Sequence, residues 1–263
     1  MSLGVDLENL YYRSKSRIKD FGEVFTPEKY VEDMLNLLSK DTNDLWFDEE
    51  TVFFEPCCGH GNIVISIYKR RLTAIYKKAL FQGICDAAFY SVANSINTLW
   101  AIDIDYKNIE NCRSRVLSVI LDFLKTQLKV NNDFDLLARK KDFFAHILSA
   151  IKWHISENET LSALSNPQDA KANANLTKAG AKWFVQNGHH QLNFNLTWAA
   201  FFHSCQVNKT IPLEYQRSLR FIEAIFSAKI RGFEDFEFAK SVIEMTKTQQ
   251  PVRKLSETLP AGA

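Results

Sequence analysis

At 263 residues and 46% hydrophobic content, the chain has enough apolar mass for one sizeable core with at most a small added lobe. Its 32 Lys and Arg against 31 Asp and Glu leave a net charge of +1, which excludes a molecule-wide field for nucleic acid and confines any such contact to a local patch. No apolar run approaches the ~18 residues of a membrane span, and the five cysteines form neither a Cys-x-x-Cys pair nor a metal spacing with His, so a cytoplasmic protein with reduced thiols and no membrane contact is expected.

In chain order, residues 5–20 read as an amphipathic leader, with Leu7, Leu10 and Tyr11 opposed by Arg13, Lys15, Arg17 and Lys19. Within Phe25-Thr26-Pro27, Thr26 is placed to cap a helix and Pro27 to take its first position. Tyr30, Val31, Met34, Leu35 and Leu38 supply that helix's apolar stripe. Residues 1–40 thus form an N-terminal helical segment. A strand is predicted over 51–54, then a helix over 62–81 that turns Ile63, Ile67 and Ala74 to a sheet. Lys69, Arg70, Arg71, Lys77 and Lys78 form a basic face read as solvated.

A second helical stretch covers 83–98, and Leu99 to Asp105 reads as a buried strand with an acidic end. A helix from about 107 to 128 follows, with Ile109, Cys112, Val116, Val119, Ile120 and Phe123 inward. Strand-helix-strand-helix in this order argues for an α/β fold with a parallel sheet, with its core over residues 41–155. Lys140 to Phe144 is either a strand or the start of a helix through Ile151.

Residues 156–263 read as a divergent remainder. The polar stretch 156–190 offers no buried strand, 191–202 alternates as one strand does, and 213–230 is amphipathic through Tyr215, Leu219, Ile222, Phe226 and Ile230 until Gly232. A short helix over 234–247 closes the pattern. Phe201-Phe202 and the 213–230 helix are candidates for a partner surface. His189-His190 lacks acids at ligand spacing and is not a metal site.

The chemistry concentrates in Glu55-Pro56-Cys57-Cys58-Gly59-His60-Gly61, a turn between a strand and a helix. Two glycines let the backbone bend sharply and approach a ligand without a Cβ in the way. Asp103 ends the next strand, where an acid meets the ribose hydroxyls of an adenosine, or else caps the following helix; Asp105 is the better cap. Cys57 and Cys58 read as small packing residues.

Three pieces in this order, Lys19-x-x-Gly22-x-x-Phe25-Thr26-Pro27, Glu55-Pro56-Cys57-Cys58-Gly59-His60-Gly61-Asn62 and Ala101-Ile102-Asp103-Ile104-Asp105, together with Asp142-Phe143-Phe144, resemble the adenine-specific (N6) DNA methyltransferases of restriction-modification systems whose Thr-Pro cofactor motif lies N-terminal. The resemblance covers roughly residues 19–144. It implies a class-I methyltransferase fold, Rossmann-like, with S-adenosylmethionine as cofactor. Phe25 and Pro56 would belong to the cofactor site, Thr26 and the turn from Gly59 to Gly61 would hold the methionine end, and Glu55 would face the ammonium. Asp103 would take the ribose, Ile104 would lie on the adenine, and Asp142 and Phe143 would meet the adenine amine and ring. DNA is the implied substrate, with a restriction-modification subunit as a possible partner.

The family's catalytic Asn/Asp-Pro-Pro-aromatic tetrapeptide, which follows a buried strand, does not occur. Asn166-Pro167-Gln168-Asp169 is the one Asn-Pro in the chain, and it is either the catalytic remnant, through Asn166 and Pro167, or a helix start. Three functions therefore stand at this point: methylation of adenine N6 in DNA, a methyltransferase-like subunit without catalysis, and, ranked last, methylation of RNA, protein or a small molecule.

Overall fold

The computed structural model describes residues 26–40, 44–166 and 178–248. Among these residues the chain is mostly helical around one small parallel sheet, compatible with an α/β fold. Helix α1 (Glu28–Leu38) precedes β1 (Phe53–Glu55), followed by α2 (Asn62–Phe81), α3 (Ala87–Asn97), β2 (Leu99–Asp103) and α4 (Tyr106–Leu128). Then come α5 (Asp133–Arg139), α6 (Lys141–His154), β3 (Ile155–Glu157) and α7 (Thr160–Leu164). The remainder holds α8 (Lys178–Asn187), α9 (Trp198–Val207), α10 (Leu213–Phe226), a 3-10 turn (Glu234–Phe236) and α11 (Glu237–Thr248).

The strands lie in the order β1-β2-β3, all parallel, with Glu55 opposite Ala101 and Asp103 opposite Glu157. Parallel neighbours need a crossover, and helices supply each one. Phe53, Leu99, Ala101, Ile102 and Ile155 are buried, as strands covered on both faces require. A single buried cluster runs from Val31 and Leu35 of α1 through Val116, Ile120 and Leu124 of α4 to Val242 and Ile243 of α11, so the C-terminal helices share the core of the sheet. Each such side chain, fully buried, contributes about 1.5–3 kcal/mol. Polar bonds fix the outer helices: Ser149 of α6 meets Ser218 of α10 at 2.8 Å, and Ser114 of α4 donates to the Phe238 carbonyl of α11 at 3.1 Å.

Several expectations change. Helix α1 starts after Pro27 with no side-chain cap, so Thr26 is not its capping residue. Its stripe is narrower than expected, Val31 and Leu35 being buried while Tyr30, Met34 and Leu38 are exposed. On α2 the buried face is Val64, Ile67, Tyr68, Leu72 and Ile75, with Ile63 and Ala74 only half-buried.

The basic run on α2 divides. Arg71 is wholly buried, giving Nη1 to the Asp48 carbonyl at 3.0 Å and Nη2 to Thr98 Oγ1 at 2.8 Å, while its guanidinium stacks over Phe53. Burial pulls Arg71 down to about 10 against the pull of Asp48 and Glu49. A guanidinium is the cation best suited to such a site, because its donors fan out in a plane toward carbonyl oxygens.

Lys141 to Phe144 belong to helix α6 rather than a strand. Residues 155–157 form a strand that sequence patterning leaves out, because it is three residues long and leaves α6 without a turn residue. The alternation over 191–202 is not a strand. Phe194 sits in a turn with its ring edge-on to Phe54 at 5.0 Å and Trp100 at 5.6 Å, and Thr197 then caps α9, accepting from the Ala200 amide. The apolar residues reach the sheet, but from a loop. Phe201 and Phe202 are used within the chain, Phe201 stacked on Trp153 and Phe202 edge-on to His146. Helix α10 ends at Phe226, before Gly232.

A candidate ligand site at the strand ends

β1 and β2 deliver Glu55 and Asp103 to the same end of the sheet, and the loop 56–61 is braced between them. The Cys57 amide donates to Glu55 Oε1 at 3.2 Å, the Cys58 amide to the Ile102 carbonyl at 2.9 Å, and the Gly59 amide to Asp103 Oδ2 at 2.8 Å. Gly59 and Gly61 both take positive φ, at 51° and 94°.

The two glycines serve different ends. A Cβ on Gly61 would lie 2.6 Å from Cys112 Sγ and 3.3 Å from its Cα, so Gly61 lets α4 pack against the turn. A Cβ on Gly59 would meet nothing within 4 Å. The open side of the loop, where a ligand can approach backbone, is therefore at Gly59.

Asp103 is first a brace. Besides Gly59 it accepts from the Asp105 amide at 2.8 Å and Asn108 Nδ2 at 3.2 Å, and a carboxylate has roughly four acceptor positions. About one remains for a ligand. Asp105 caps α4 through the Lys107 amide at 2.9 Å, as expected. Among the described residues Glu55 accepts from the Cys57 amide alone and keeps the greater capacity.

Burial raises both Glu55 and Asp103 above the usual carboxylate range, and for Glu55 the neighbouring Asp103 charge adds to this. Glu157, beside Asp103 in the sheet, is raised by burial as well. Three partly desolvated acids at one edge favour a ligand that brings positive charge and hydroxyl donors.

The Thr-Pro segment joins this site through Asn62, whose Nδ2 donates to the Thr26 carbonyl at 3.2 Å. Arg115, on the inner side of α4, holds the same place from below, giving Nη1 to the His60 carbonyl and to Asn62 Oδ1, each at 2.8 Å. Sequence reading missed Arg115; its one signal is a cation three residues after Cys112 on an apolar face.

It missed the segment after β3 as well. The Asn158 amide donates to the Asp103 carbonyl at 3.0 Å, and Thr160 Oγ1 donates to the Pro56 carbonyl at 2.7 Å. Cys58 and Cys112 are buried packing thiols that touch one another, and that proximity followed by burial pushes Cys58 far up, away from nucleophile chemistry.

The structure thus gathers Thr26, Glu55, Pro56, Gly59, Gly61 and Asp103, with Ile104 half-buried beside them. Asp142 and Phe143 are built into other parts of the fold. Asp142 lies in the first turn of α6 and accepts from the Tyr215 hydroxyl at 3.1 Å, and Phe143 is edge-on to Phe89 at 4.8 Å. Neither of these interactions reaches Glu55 or Asp103. Asn166 is exposed and follows helix α7 instead of a buried strand. Phe25 and Pro167 lie outside the described residues.

His189 and His190 turn their Nε2 atoms to the carbonyls of Ser165 and Asn187, and among the described residues no group of acids, His and Cys is arranged to hold a metal. All five cysteines are free thiols. Among the described residues no helix is long and apolar enough to cross a membrane. Compared with known proteins, the chain matches no family model, no curated protein and no solved structure.

Proposed function

We propose that the chain is a class-I methyltransferase that binds S-adenosylmethionine across the ends of β1 and β2 and methylates adenine N6 in DNA. The observation that carries this reading is the loop 56–61: a backbone turn open at Gly59, flanked by two carboxylates that burial leaves short of counter-charge. Glu55 accepts from the cofactor's ammonium, and the spare acceptor position of Asp103 takes a ribose hydroxyl. The cofactor, once bound, supplies a methyl group on a positively charged sulfur. Arg115 and Asn62 keep the turn and the Thr26 segment in register while the ligand binds. Adenine in DNA as acceptor rests on the sequence resemblance alone.

Calorimetric titration with S-adenosylmethionine tests the reading, with Glu55→Gln alongside. Micromolar binding that weakens about tenfold in the variant supports it, since a hydrogen bond to a charged group contributes about 1.5–3 kcal/mol. Absence of binding by the parent protein rejects it.

A second reading has its own observation. Asn166 is exposed after a helix, whereas the family's catalytic Asn follows a buried strand, and this favours a subunit that holds the cofactor without using it. Transfer of a labelled methyl group to adenine-containing DNA by the chain alone removes that reading; tight cofactor binding with no transfer favours it.

A further inference from the structure

Helix α2 has an outer face that meets the cofactor reading only at its first turn, through Asn62 and Arg115. A cleft of about 1220 Å³ runs along it, touching Asn62 near its start and Phe81 at its end. The 20 residues of α2 make the groove about 30 Å long at 1.5 Å per residue. Glu55, Gly59 and Asp103 take no part in its walls. Five cations line it, Lys69, Arg70, Lys77, Lys78 and Arg115, against the carboxylates Glu28 and Glu32.

The carboxylates cancel only part of this charge: Glu32 pairs with Arg70 at 2.5 Å, and Glu49, outside the cleft wall, pairs with Lys78 at 3.0 Å. Lys69 and Lys77, two helical turns apart, are exposed and make no ion pair among the described residues. Aromatic rings lie along the same groove. Phe81 is 93% exposed, Phe47 is 37% exposed, and the wall also contains Trp46 beneath the Arg70 guanidinium.

We propose that this groove binds a single nucleic-acid strand, with phosphates on Lys69 and Lys77 and a base against Phe81. Regularly spaced cations beside exposed rings are what a strand-tracking groove needs: charge for the backbone and flat apolar faces for bases of any sequence. An acidic peptide would use the cations and leave the rings idle. The length exceeds what a small anion fills. The inference deepens the DNA reading by adding a binding surface that starts beside the cofactor loop, at His60 and Asn62, and runs from there along α2, and it stands without a cofactor.

The test is fluorescence anisotropy of a labelled single-stranded oligonucleotide with the full chain, without S-adenosylmethionine, over a range of salt concentrations. Binding should weaken as salt rises. Lys69→Glu with Lys77→Glu should lower the slope of log K against log salt by about 1.4, at about 0.7 for each phosphate no longer neutralised. Both side chains are exposed, so thermal unfolding of the double variant should match the parent.

Phe81→Ala should weaken binding about fivefold or more by removing a stacking surface. An unchanged slope, binding indifferent to salt, or a Phe81→Ala variant as tight as the parent overturns the proposal. So does displacement of the oligonucleotide by polyglutamate at equal charge, or tighter binding of a duplex of the same sequence. Glu55→Gln should leave strand binding intact, so failure here and failure of the cofactor reading are separately visible.

Discussion

The two sides of helix α2 are chemical opposites. At its N-terminus the strand ends present Glu55 and Asp103, half-buried and raised by that burial, with the more exposed Glu157, also raised, beside them. Along its outer face Lys69 and Lys77 stand in the open. A net charge of +1 averages these regions away. The acidic end is stiffened by backbone hydrogen bonds, so a ligand held there, as proposed, would be selected by shape. The basic groove is an exposed helix face with long side chains, so the strand proposed for it would be held mainly by charge. Depth of burial, more than the number of charges, decides which region can be selective.

The largest expected effect comes from the support under the sheet. His154 is buried edge-on to Trp100, accepts from the Trp198 amide, and is pulled down to about 3 by burial. The unfolded chain takes up this proton below about pH 6.5, and the folded protein refuses it until about pH 3. Its contribution is therefore complete above pH 6.5 and is lost as pH falls, at about 1.4 kcal/mol per unit, or about 5 kcal/mol in all. Glu55 and Asp103 act in the opposite sense: with folded values raised, what they contribute is present below the ordinary carboxylate range and lost as pH rises through it. Urea denaturation at neutral and acid pH should show stability falling with acid, and His154→Gln should flatten the fall. A His154→Gln profile identical to the parent's would remove His154 from the account.

Next in size is the division within the basic run. Arg71→Ala strips a partner from the buried Thr98 hydroxyl and the half-buried Asp48 carbonyl and empties the space of a wholly buried side chain, and should cost about 3 kcal/mol in chemical denaturation. Lys69→Ala, two residues away in sequence but on the solvent side of the helix, should stay within about 0.5 kcal/mol. Equal effects would dissolve the contrast between the inward and outward faces of α2.

Somewhat smaller effects are expected at the glycines. Gly61→Ala drives a Cβ into Cys112 and holds an L-residue at a φ of 94°, which should destabilise the fold by about 2–3 kcal/mol. Gly59→Ala has open space and a φ of 51°, so about 1 kcal/mol is expected. Its larger effect should be on S-adenosylmethionine affinity, read by calorimetry. Similar destabilisation in both variants would contradict the division of roles between packing and ligand approach. An effect of about the Gly59→Ala size, about 1.4 kcal/mol, involves ligands alone: Glu55→Gln should weaken the cofactor about tenfold and leave oligonucleotide binding unchanged.

Local pattern alone read the first half of the molecule well. Helix α2 spans 62–81 as expected, Leu99–Asp103 is a strand, and Asp105 caps α4, because long periodic helices and a strand closed by acids carry their signal in adjacent residues. Thr197 and Trp198 show why the later part was less legible. Their segment alternates like a strand, yet Thr197 caps α9 and Trp198 buries itself against α6, donating its amide to His154. Nothing within residues 191–202 announces His154.

The parallel strand-helix order, the turn at 55–61 and the acids at its flanks all depend on residues near one another in the chain, and so they can be read from it directly. Three-dimensional packing was needed to place Arg71 inside, to set Arg115 and Thr160 as braces of the loop, to make Gly61 obligatory beside Cys112 and to turn Asp142 toward Tyr215. Each of these pairings joins residues far apart in sequence. Apart from the exposed Asp142–Tyr215 bond, they are fixed by burial, which selects partners for most polar groups taken from water and leaves no local trace of the choice.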